Sequence, residues 1–113
     1  MEFNVNQLLT DIKSAVKLVI DADLDTVQGF SESQLKAIAK QSERVATGIA
    51  TGKITPETKQ FFLDSLKDLV TGFVQTLTGI IAVTIEKVWN AIISVIWNTI
   101  SKTIGITLSI PAQ

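Results

Sequence analysis

Neither cysteine nor histidine occurs anywhere in this sequence. The first absence excludes a disulfide framework and thiol chemistry. The second removes the commonest general base and the commonest transition-metal ligand, so no Ser-His-Asp or Cys-His arrangement exists and no zinc or haem pattern can be drawn. No phosphate-cradling glycine loop and no nucleophile elbow is present either. Asp64 and Asp68 stand one helical turn apart, but Lys67 lies between them, as on a solvated helix face. The residue types therefore define no catalytic group, no metal or cofactor site and no small-molecule substrate. Basic excess is lacking as well. A net charge of −1 offers nothing to neutralise phosphates, so nucleic acid is not an expected partner. The start, MEFNVNQLLTDIK, carries an acid at its second position and no basic run, and so does not read as a secretory leader.

Proline is scarce, at positions 56 and 111 only, and charge is scarce in the second half. After Asp68 the charged residues are Glu86, Lys87 and Lys102, whereas eighteen precede them. With 46% hydrophobic and 19% charged residues, the chain is rich in apolar side chains for its length of 113, which suits one domain.

What is present begins with a strong helix start. Thr55 can cap exposed N–H groups, Pro56 suits the first helical position, and Glu57 complements the positive end of the helix dipole. Phe62, Leu63, Leu66, Leu69, Val70 and Phe73 then form an apolar stripe opposite Lys59, Asp64, Lys67 and Asp68. Beyond Asp68 the polar side narrows to Thr71, Gln75, Thr78, Glu86, Asn90, Ser94 and Asn98. The spacing predicts a helix over 56–102, either unbroken or broken near 72–79, where Gly72 and Gly79 lie. Unbroken, it would be roughly 70 Å long at about 1.5 Å per residue, far longer than a compact domain of this size.

Two amphipathic helices precede it. One spans 4–21, with Val5, Leu8, Leu9, Ile12, Val16, Val19 and Ile20 on its apolar face. The other spans 32–51, with Leu35, Ile38, Ala39, Val45, Ala46 and Ile49 inward and Lys36, Lys40, Glu43 and Arg44 in water. Both are expected to pack antiparallel on the early part of the long helix. The tail, 103–113, alternates Ile104, Ile106, Leu108 and Ile110 with Thr103, Gly105, Thr107 and Ser109, a period of two for an extended or β-like segment. The predicted class is all-α: two amphipathic helices on one long, mostly apolar helix, with that tail.

Between the first two helices lies DADLDTVQGFSE. Asp21, Asp23, Asp25 and Glu32 occupy the first, third, fifth and twelfth positions of a calcium-loop pattern. The sixth position, which wants glycine for a sharp turn, is the β-branched Thr26, and the eighth, normally aliphatic, is Gln28. Solvated aspartates, a turn at Gly29 and a Ser31/Gln34 capping box account for the same residues, so no tight calcium site is expected.

A helix apolar almost all round must be covered on almost all sides, by protein or by lipid. Protein gives a non-catalytic, self-assembling structural subunit, of a virion or a bacterial assembly, that pairs with copies of itself. Its contacts are expected at Phe73, Leu77, Ile81, Ile85, Trp89, Ile93, Ile96, Trp97 and Ile100 of the helix, and at Ile104, Ile106, Leu108 and Ile110 of the tail. Lipid gives a membrane-active, holin-like or pore-forming element inserting 69–101, in which Glu86 and Lys87 line a pore rather than a wet stripe. Leu69–Ile85 is charge-free but short for a span, and Val88–Ser101 is shorter still. No compartment is encoded; a cytoplasmic assembly or a virion fits the first reading, a membrane the second.

Overall fold

The stretch that begins at Pro56 turns back on itself, and that reversal sets the fold. In a computed structural model describing residues 3–112, the chain forms four α-helices: α1 (Val5–Ile20), α2 (Glu32–Ala50), α3 (Pro56–Gln75) and α4 (Ala82–Ile104). Met1 and Glu2, within the stretch read for a leader, and Gln113, the end of the expected tail, lie outside the described residues. The all-α class is as expected, but the 56–102 segment is two helices and not one rod. The molecule measures 42 × 24 × 21 Å, so a 70 Å rod has no place in it.

Local chemistry places each helix end. Asn4 caps α1, its Oδ1 accepting from the Gln7 N–H at 2.9 Å. Asp21 closes α1 with φ of +55°, in the left-handed region that aspartate tolerates better than most residues. Ser31 caps α2 through the Gln34 N–H at 3.2 Å. At the head of α3 the hydroxyl of Thr58 accepts from the Thr55 N–H at 3.1 Å.

The break between α3 and α4 has a physical cause on each side. The helix is first drawn off at its own end: Thr76 and Leu77 N–H groups donate to Phe73 and Val74 carbonyls, one residue short of α-helical spacing. Next, Thr78 donates its N–H at 2.9 Å to the carbonyl of Gln28, in the α1–α2 connection. Gly79 then takes φ of +78° and reverses the chain. Gly29 lets the two connections touch, because a Cβ there would lie 1.9 Å from the Thr76 carbonyl oxygen. Gly72, by contrast, stays inside α3. Leu24, in a short 3₁₀ turn, and Leu77 plug this end of the core, and Phe30 meets Phe73 edge-on at 6.0 Å.

Folded back, α4 is the helix the others wrap. It packs most extensively on α1, then on α2 and α3, while α2 also packs on α3. The partner of the first two helices is thus chiefly the late part of the apolar segment, whose side chains are the larger and more continuous hydrophobic surface. Val88, Trp89, Ile92, Ile93, Ile96, Trp97 and Ile100 are all buried within one chain. Trp89 donates its Nε1–H to Thr71 Oγ1 at 3.0 Å, tying α4 to α3, and the Thr71 hydroxyl donates in turn to the Lys67 carbonyl at 2.9 Å. Helix α4 consumes Thr103 and Ile104, and Gly105 caps it in the left-handed region. Residues 106–112 follow outside the helices, and no strand exists among the described residues. Leu108 anchors that tail, buried, with its N–H donating to Ser101 Oγ at 3.0 Å.

Candidate assembly surface

The acidic connection engages lysines of α1. Lys13 Nζ lies 3.0 Å from Glu32 and 3.2 Å from Asp25, and 5.7 Å above the centre of the Phe30 ring. Lys17 reaches Asp23 at 3.2 Å. The hydrogen bond that Lys13 donates to Glu32 above all, with Asp25 assisting, holds its ammonium above its ordinary pKa of 10.5 against a partial desolvation that pulls the other way. Three of the four carboxylates of the calcium-like pattern thus latch the α1–α2 connection onto α1. Among the described residues no three His, Cys, Asp or Glu side chains converge as a metal ion would need.

The residues expected to meet other copies divide into two groups. Phe73, Leu77, Trp89, Ile93, Ile96, Trp97, Ile100 and Leu108 are buried inside the single chain, and Ile85 and Ile104 pack partly against its core. Ile81, Ile106 and Ile110 face outward. Glu86 and Lys87 are both exposed on the wet side of α4. Among the described residues no helix is long and apolar enough to cross a membrane.

What the surface does present is two apolar ends. At the first, Leu18 is 90% exposed, Ile81 69% and Val83 53%. Two adjoining grooves of about 480 Å³ each link Leu18 to Ile81. One runs between the end of α1 and the α3–α4 connection, lined by Val19, Ile20, Val27, Ile80 and Ile81, and the other lies between Leu18, Val19 and Lys87. Val19 is common to both. At the second end, Ile106 is 57% and Ile110 44% exposed on the tail beyond Gly105. Phe61 and Leu69 are exposed on α3, but Asp64, Lys67 and Asp68 are interleaved with them.

Leu18 is the surface residue the periodicity did not bring forward. It falls off the stripe running through Leu8, Ile12 and Val16, and a leucine off the stripe of a short amphipathic helix is itself the signal. Ile81 and Ile106 are distinguished only by the break before α4 and the glycine cap after it, which set them outside the helix. Comparison of the chain with protein-family models, curated proteins and solved structures gave no match.

Proposed function

We propose that this chain is a non-catalytic structural subunit that assembles head to tail with copies of itself, the α1/α4 end of one meeting the tail end of the next. The observation that carries this is the placement of exposed apolar side chains at both ends of α4 and in small number elsewhere. Ile81 precedes α4 and Ile106 follows it, so the two patches are separated by its full length, roughly 34 Å at about 1.5 Å per residue. Each end can be covered by the opposite end of a neighbour, so that every subunit uses both patches. Such contacts are heterologous, and they close into rings or continue as filaments.

The chemistry of the interior supports a structural role. Ser42 is the one buried polar residue among those described, and its hydroxyl is spent on the Ile38 carbonyl at 2.9 Å within its own helix. The contact itself is modest. Burying five partly exposed aliphatic side chains contributes on the order of 8 kcal/mol gross, against association costs of about 4–15 kcal/mol. Assembly is therefore concentration-dependent and strengthened by repetition.

Sedimentation velocity without detergent tests the reading. The expected result is a mass that grows with concentration and falls to monomer in Ile81→Glu and in Ile106→Glu separately. A mixture of the two variants recovers dimers only, since one variant keeps its head and the other its tail. Wild-type protein that stays monomeric up to about 1 mM, where a contact of only about 4 kcal/mol would already show, overturns the proposal. So does growth that requires detergent, which favours the membrane-active alternative.

A further inference from the structure

A third feature lies away from those exposed isoleucines, in the angle between the tail, α3 and α4. A groove of about 300 Å³ is walled by the tail from Thr107 to Pro111 and by the first turns of α3, with Trp97 and Leu108 at its base. The volume falls at the lower end of the range for small-molecule sites. Lys59 and Lys67 both line it, both half-buried, together with the hydroxyl-bearing Thr107 and Ser109.

The two lysines are unequally provided for. Lys67 is held by Asp64 only at 3.5 Å, and the same carboxylate oxygen accepts the Gln60 amide at 2.9 Å. Among the described residues no carboxylate lies within ion-pair distance of Lys59. A half-buried ammonium that has lost part of its hydration and gained no counter-charge is a standing donor for an anion. Among the described residues, two ammonium groups against one carboxylate leave a single net positive charge, which suits a monoanion better than a dianion.

We propose that this groove binds a small aliphatic carboxylate. The head lies between Lys59 and Lys67 with the hydroxyls of the tail beside it, and a short hydrocarbon body rests on the edge of Trp97 and on Leu108. The tail then has a use besides assembly, because binding fixes 107–111 against α3.

The test is a titration of the full chain with hexanoate, followed by amide and indole proton–nitrogen correlation spectra. Saturable shifts are expected at the Trp97 indole N–H and at the Leu108 and Ser109 amides, while the Trp89 indole, hydrogen-bonded to Thr71, stays in place. Hexanamide, which has the same shape without the charge, should leave all of them unmoved at the same concentration. Lys59→Gln retains helix propensity and should weaken hexanoate about tenfold, as loss of a charge-assisted hydrogen bond does. Absence of saturable shifts at the tail, equal binding of hexanamide, or unchanged affinity in Lys59→Gln would each refute the site. Inorganic phosphate moving the same signals more strongly than hexanoate would refute the choice of carboxylate.

Discussion

Gly29→Ala is expected to unfasten the two connections that reverse the chain, and its cost can be built up from the geometry. At φ of +87° an L-residue is strained by about 1–2 kcal/mol before any neighbour is considered. The new Cβ would stand 1.9 Å from the Thr76 carbonyl oxygen and 2.9 Å from its carbon. Both atoms are backbone, so no rotamer change relieves the overlap, and the connections must separate by about 1 Å or more in a close-packed region. That retreat strains or breaks the Thr78 N–H bond to Gln28, worth about 0.5–1.5 kcal/mol. Stiffening of the unfolded chain returns some tenths. With about 1 kcal/mol or more for overpacking the contact itself, the sum is about 3 kcal/mol, a large share of the roughly 6–17 kcal/mol expected for 113 residues.

Gly79→Ala is the internal control. Its φ of +78° carries the same conformational penalty, but nothing lies within 4 Å of the added methyl. Its cost should stay near 1 kcal/mol. Urea denaturation of both variants, with slopes checked against wild type, measures the gap directly. A gap of about 2 kcal/mol is expected. Equal costs for the two variants would show that the α1–α2 and α3–α4 connections do not close on each other as described.

Three further outcomes follow from the same packing. Trp89→Phe and Thr71→Val should each cost on the order of 1 kcal/mol, and the double variant should cost less than their sum, because both remove the same bond between α3 and α4; strict additivity in chemical denaturation would count against it. Lys13→Met should lose the latch to Glu32 and Asp25 in a pH-dependent way. The Lys13 pKa is raised on folding, so its contribution is fully present below 10.5 and fades as pH climbs through the higher folded value. While the partner carboxylates stay ionised, the stability difference between wild type and variant should therefore shrink in strongly alkaline solution, and a difference independent of pH to the alkaline limit would contradict the ion pair. Trp97→Glu should unfold the chain rather than dissociate it, since Trp97 is only 2% exposed and the new carboxylate would be buried unpaired; a folded monomer by circular dichroism would contradict that burial.

How far the sequence announces this architecture depends on the range over which each signal acts. Some helix starts are local chemistry, and those of α1, α2 and α3 were legible, whereas the end of α3 and the start of α4 were not. Asn4, Ser31 and the Thr55-Pro56 pair begin α1, α2 and α3, and the apolar stripes of α1 and α2 match the buried faces closely. The reversal was legible only as a choice between continuing and breaking near 72–79. Gly72 and Gly79 look alike in sequence, and what separates them is a bond from Thr78 to a carbonyl fifty residues earlier. No local pattern contains that bond.

The tail shows a different limit. A period of two over Thr103–Ile110 reads as extended, yet a helix already carrying seven buried residues extends through Thr103 and Ile104 until Gly105 stops it. Four alternations are too few to outweigh a propagating helix, where each added residue gains a hydrogen bond and nucleation has already been met. The candidate surface depended on both of these features. Once the apolar segment folds back, its largest side chains are covered by its own α1 and α2, and what remains for a neighbour is set by where the helix stops. Ile81 and Ile106 are exposed because each lies just outside α4, whereas Ile93 and Trp97, more hydrophobic in their surroundings and more prominent in the sequence, lie in its middle and are covered. The outward-facing apolar residues are thus by-products of two chain reversals. That is why hydrophobicity along the sequence points to α4 as a whole and only the fold singles out its ends.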